Sequence, residues 1–78
     1  MPHIIIKTID GKSPELLARA AQAAAETVAT VMDKPMTSFS VAVEEYTTDQ
    51  WSVVFDQHIA DEEKLVIKQG YSRDDIAK

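Results

Sequence analysis

A long alanine-rich helical segment lies between two short strand-forming runs, and that order restricts the chain to very few folds. Residues 3–9, His-Ile-Ile-Ile-Lys-Thr-Ile, are short and rich in β-branched side chains, which predicts a strand. Three consecutive isoleucines suit a strand covered on both faces, as parallel strands usually are. Asp10-Gly11-Lys12 carries turn chemistry. Ser13-Pro14-Glu15 then opens a helix: the serine can cap, the proline fits the first helical position, and the glutamate suits the positive end of the dipole. Leu17, Ala21, Ala24, Val28 and Val31 recur at spacings of four and three and predict the apolar face. Glu15, Arg19, Gln22 and Glu26 recur in the same way on another face. Asp33-Lys34-Pro35 ends the helix, because a residue before proline disfavours the helical region. Residues 37–46 predict the second strand. Phe39, Val41 and Val43, with Glu45 ending the row, fall on one face; Ser40, Ala42 and Glu44 fall on the other. Strand, long helix and strand make a β-α-β unit with parallel strands and a right-handed crossover. The expected class is α/β (α+β), as one domain over 1–78.

Two strands and one helix cannot close a core by themselves. A chain of 78 residues buries only about 60–65% of its unfolded surface, which leaves it marginal alone. It has no cysteine for a disulfide, and two histidines are too few for a structural zinc site. No metal is expected. Self-association is the remaining common route to buried area, so a homo-oligomer is expected, most simply a dimer with a four-stranded sheet. Eight basic residues against thirteen acidic ones give a formal net charge of −5, which argues against nucleic acid as a partner. No apolar run approaches the roughly 20 residues needed to span a bilayer. No charged and apolar leader pattern opens the chain. With no cysteine, a reducing compartment is compatible. The expectation is a cytoplasmic protein without a membrane partner.

The second half is less patterned. Thr47-Thr48-Asp49-Gln50 predicts a turn or short 3₁₀ piece. Trp51, Val54, Phe55, Ile59, Leu65 and Val66 have helical spacing and predict one or two helices over about 50–68. Gly70 is the expected left-handed terminator, and 72–78 an expected polar, frayed tail. Asp61-Glu62-Glu63 reads as a solvated acidic patch at a helix start.

Pro2 is the residue with the most distinctive chemistry. A Met-Pro start loses its methionine, and the chain then begins with a secondary amine. Uncharged, that amine can remove a proton from carbon beside a carbonyl. An apolar pocket and a neighbouring cation both favour the uncharged form. Pro2 leads directly into the first strand, so its position is held. The bland alternative is a proline merely tolerated at the N-terminus.

The start Met1-Pro2-His3-Ile4, the turn Gly11-Lys12-Ser13, the segment Lys34-Pro35-Met36-Thr37-Ser38, the run Ser40-Val41-Ala42-Val43-Glu44-Glu45 and Trp51 belong together. With them the chain resembles the tautomerase superfamily, typified by 4-oxalocrotonate tautomerase, over nearly its whole length. The trailing helix and the Lys68-Gln69-Gly70-Tyr71-Ser72 ending are similar to a dimeric bacterial subgroup. The resemblance implies a cofactor-independent keto–enol tautomerase whose base is Pro2. It implies that Lys12 stands where a family arginine binds the substrate carboxylate. Lys12 keeps the charge without the bidentate fork. Ser40 stands where a second family arginine polarises the carbonyl, and a hydroxyl cannot neutralise an enolate as that arginine does. Trp51 matches the aromatic residue that walls the pocket. The implied partner is a small 2-oxo acid or its enol, such as phenylpyruvate.

Each residue has a structural alternative. Lys12 can be a solvated turn residue, Trp51 a core or interface anchor, and His3 a proton relay or an edge residue. His58 lies near the apolar face of the last helix, as a structural or an exposed residue. Tyr71 is not placed by its sequence. Glu44 and Glu45 point to opposite faces, so they do not form one carboxylate pair. The competing function is a small ligand-binding or interaction dimer that keeps the fold without the chemistry; the serine at position 40 favours it.

Overall fold

The computed structural model describes residues 1–61 and 63–76. The chain forms β1 (His3–Ile9), α1 (Pro14–Met32), a 3₁₀ turn (Met36–Ser38), β2 (Ser40–Tyr46), α2 (Thr48–His58) and a second 3₁₀ turn (Arg73–Asp75). It divides into two compact units, Met1–Glu45 and Tyr46–Lys78.

In the first unit β1 and β2 pair directly as a parallel two-stranded sheet. Side-chain pairs fix the register. His3 bonds Ser40, and Lys7 bonds Glu44, each across 37 residues. A constant offset is what parallel strands produce. It sets His3, Ile5 and Lys7 beside Ser40, Ala42 and Glu44 on one face. Ile4 and Ile6 lie beside Val41 and Val43 on the other. All four of these apolar residues are half-buried. Ile5 is 49% exposed, so its face is open in a single chain, unlike the two-sided cover that three isoleucines imply.

The helix start follows the sequence. Ser13 Oγ accepts from the Leu16 N–H at 3.1 Å, and Pro14 is the first helical residue. The preceding turn needs Gly11, whose φ of 105° lies where side chains are strained. At the other end Asp33 takes the left-handed conformation at φ 55°, and the Lys34 N–H closes onto the Ala29 carbonyl at 3.0 Å. The buried face differs from the expected one by a fraction of a turn. Ala25 and Ala29 are its most buried residues, whereas Val31 is 80% exposed. A line stepping by four and three drifts around a helix of 3.6 residues per turn, and by its last turn Val31 has left the covered side. Alanine lets the helix approach closely, so Ala25→Leu is expected to overpack this contact. We expect a loss of about 1–3 kcal/mol, read as a lower urea midpoint at fixed protein concentration.

The second strand starts later than residue 37. Pro35, extended at φ −71°, caps the 3₁₀ turn, and the Ser38 and Phe39 N–H groups return to the Pro35 and Met36 carbonyls. Pairing begins only once these local bonds end.

The second unit is shorter in helix than expected. Thr47 and Gln50 form a reciprocal capping box at the start of α2. The Ile59 and Ala60 N–H groups both fold back onto the Phe55 carbonyl, which ends the helix near His58. No described residue of 59–70 is helical. Leu65 and Val66 therefore do not continue an apolar stripe, and Val66 is 97% exposed. Gly70 does not terminate a helix, nor is it left-handed. Asp61 and Glu63 lie in turns, not at a helix start; Glu62 is outside the described residues. The 72–76 segment is capped, not frayed. Asp75 Oδ2 accepts from the Ser72 N–H at 2.9 Å, Arg73 pairs with Asp56, and Ile76 is buried. Ala77 and Lys78 lie outside the described residues. Among the described residues of this unit, Val54, Phe55 and Ile76 are the buried apolar ones. Among the described residues no helix is long and apolar enough to cross a membrane.

Candidate active site

Pro2 sits half-buried immediately before β1, while Met1 is fully exposed. The Pro2 carbonyl accepts the Ser40 N–H at 3.2 Å, so sheet pairing reaches the residue that carries the candidate amine. The same pairing holds Ser40 beside His3: Ser40 Oγ and His3 Nδ1 are 2.7 Å apart. Pro2, His3 and Ser40 thus converge at one end of the sheet, with the His3 and Ser40 side chains exposed.

Lys12 lies elsewhere. Its Nζ donates to the Ile9 carbonyl at 3.2 Å, in the turn that follows β1. Pro2 precedes that strand and Lys12 follows it. At about 3.3 Å per residue, the strand alone separates them by roughly 20 Å. Pro2 and Lys12 of one chain cannot hold the same small molecule.

In the second unit Trp51, half-buried on α2, donates its indole N–H to the Tyr71 hydroxyl at 3.2 Å. Tyr46 meets the Trp51 ring edge-on at a centroid distance of 6.2 Å, and Tyr71 lies 5.7 Å from Phe55. These contacts fix the indole's orientation. His58 ends α2 exposed, the second of its two expected placements. Glu44 is engaged with Lys7. Among the described residues no three His, Asp or Glu side chains gather as metal ligands would.

Two partners were not legible beforehand. The His3–Ser40 contact was recoverable from the register once both strand starts were known. The Trp51–Tyr71 bond had no sequence signal, because an irregular segment brings Tyr71 back across 20 residues.

Known proteins agree with this architecture. A solved structure described as apo, unfused 4-OT matches with a TM-score of 0.60 and 28% identity, covering 63% of this chain and 80% of that one. A comparison with curated proteins found no match. The family model described as "Tautomerase enzyme" matches residues 2–57, starting at Pro2 itself and running through both strands and α1. With the parallel β-α-β unit and the position of Pro2 at its head, that match makes this chain a member of the tautomerase family.

Proposed function

We propose that the chain, taken as one tautomerase-like domain over 1–78, is a cofactor-independent keto–enol tautomerase. Its substrate is a small 2-oxo acid or its enol, and its base is the Pro2 amine once Met1 is removed. The observation that carries this reading is the seat of Pro2. It is anchored by its own carbonyl to Ser40, half-buried, at the first residue of the family match, behind a fully exposed Met1.

In ketonisation the Pro2 amine takes the enol O–H proton, leaving an enolate. The resulting ammonium returns that proton to the carbon of the former double bond. The reaction is balanced and needs no redox partner. Ser40 binds the oxygen on which charge develops. Trp51, held by Tyr71 and Tyr46, is assigned the water-excluding aromatic wall of the family. Lys12 is assigned the substrate carboxylate. Because β1 separates it from the Pro2 of its own chain, the Lys12 at a given Pro2 comes from a second copy. A twofold pairing with the two β1 strands antiparallel meets that requirement, and a two-stranded sheet has open edges to offer. The assembly is then a homodimer or a larger set of such pairs.

Ultraviolet-monitored ketonisation of phenylenolpyruvate, with intact mass recorded to verify loss of Met1, tests the reading. A processed chain should accelerate enol decay well above the buffer rate; a rate equal to buffer would remove the proposal for this substrate class. Lys12→Ala should raise KM by about 10–100-fold with a smaller change in kcat, since a charge-assisted bond to a carboxylate is worth about 1.5–3 kcal/mol. An unchanged KM would leave Lys12 as a turn residue bonded to Ile9. The second reading, a non-catalytic ligand-binding dimer, is favoured by one observation: position 40 carries serine where the resemblance expects arginine. Saturable binding of phenylpyruvate without turnover would select it.

A further inference from the structure

We propose that His3 and Ser40 form a donor relay that holds the enolate oxygen, with Ser40 touching the substrate and His3 positioning it. This rests on the tautomerase reading and names the group that stands where a cation is missing. The geometry carries it. A serine hydroxyl has one proton, and it stabilises an enolate only if that proton points at the substrate. Left alone, the hydroxyl rotates among partners. Here His3 Nδ1 lies 2.7 Å from Ser40 Oγ, a full hydrogen bond. In the tautomer that carries hydrogen on Nδ1, the ring donates to a lone pair of Oγ. Ser40 then has its own O–H left over, facing away from the ring. The donation also polarises that O–H, as successive hydrogen bonds in a chain strengthen one another.

Two further facts make the side chain the donor. The Ser40 N–H is already committed to the Pro2 carbonyl at 3.2 Å, so the backbone group is not free to bind substrate. That same bond fixes Ser40 relative to the residue bearing the amine. Both side chains are exposed, hence reachable by a ligand. The parallel register fixes the pairing: residue 40 is opposite residue 3, just as 44 is opposite 7.

No proton passes through the relay. Pro2 takes the enol proton and returns it to carbon, while Ser40 donates a hydrogen bond to the oxygen throughout and His3 donates to Ser40. The seat offers donors without a full positive charge, so it suits a ketone or enol oxygen better than a second carboxylate. The substrate class is accordingly a monocarboxylate enol, its single carboxylate left to Lys12.

The test is steady-state kinetics on phenylenolpyruvate with wild type and Pro2→Ala as references. Ser40→Ala should lower kcat by about 10–100-fold with KM nearly unchanged, somewhat less than for an oxyanion donor in a closed site because this seat is open. Ser40→Thr should retain most of the rate. His3→Leu should lower kcat by about fivefold, and His3→Asn, which keeps an N–H near the Nδ1 position, should recover most of that loss. In a Ser40→Ala background His3→Leu should have no further effect, because its action runs through the hydroxyl. The relay is overturned if Ser40→Ala leaves kcat unchanged, or if His3→Leu costs the same in both backgrounds. Wild type active and Pro2→Ala inactive, together with either of those results, sinks the relay alone. A processed wild type that never exceeds the buffer rate sinks both the relay and the tautomerase reading.

Discussion

Pro2→Ala is expected to lower kcat for phenylenolpyruvate ketonisation by about 10²–10⁴-fold, the usual contribution of a positioned general base. The alanine variant still loses Met1 and still presents an amine, so any difference comes from the proline ring and its seat. The ring fixes the nitrogen directly before β1, where the residue's carbonyl is tied to Ser40. Alanine keeps that carbonyl bond and loses the ring's constraint on the amine. The folded state should therefore survive, which circular dichroism can verify. A chain shown by mass to retain Met1 should be equally inactive, because its Pro2 nitrogen is then an amide without basicity. A Pro2→Ala enzyme with wild-type kcat would show that the proline ring and its constraint on the amine do not carry the catalysis.

Mixing two variants that are both slow at substrate concentrations well below the wild-type KM should restore activity there. Pro2→Ala chains and Lys12→Ala chains, unfolded and refolded together, are expected to recover roughly a quarter of the wild-type rate. The fraction follows from chance: half of the sites draw an intact Pro2, and half of those draw an intact Lys12 from a neighbour. It does not depend on how many copies assemble, only on Pro2 and Lys12 coming from different chains. The physical cause is the length of β1, whose roughly 20 Å keeps the two residues of one chain apart. No recovery, in a mixture shown by native mass spectrometry to contain mixed oligomers, would mean that Lys12 does not serve a neighbour's Pro2.

These predictions separate what could be read locally from what could not. The strand–helix–strand order, the Ser13 cap and the Asp33 stop were legible because each depends on a few adjacent residues. Such features are decided by backbone sterics and by bonds spanning three to five positions. The end of α2 was not legible. Leu65 and Val66 continue a helical period, yet both Ile59 and Ala60 fold back onto the Phe55 carbonyl and close the helix first. Periodicity reports which faces would be apolar if a helix continued; it does not report where the last hydrogen bond falls. The buried face of α1 was found only approximately, since Ala24 and Ala25 are chemically alike and their burial depends on what lies over them.

The same division holds for the candidate site. Pro2, Lys12, Ser40 and Trp51 could each be singled out from residue type and resemblance, because their chemistry is a property of the side chain and its place in a motif. Residue order and composition alone specify a β-α-β chain with a proline at its head, a lysine in its first turn and too little apolar material to close a core. Which of these residues meet is set by the folded sheet. Strand register brings His3 to Ser40 and ties Ser40 to Pro2, while strand length holds Lys12 at the far end. Register and length act through pairing between residues 37 apart, a distance at which local propensity carries no information and only the folded sheet does.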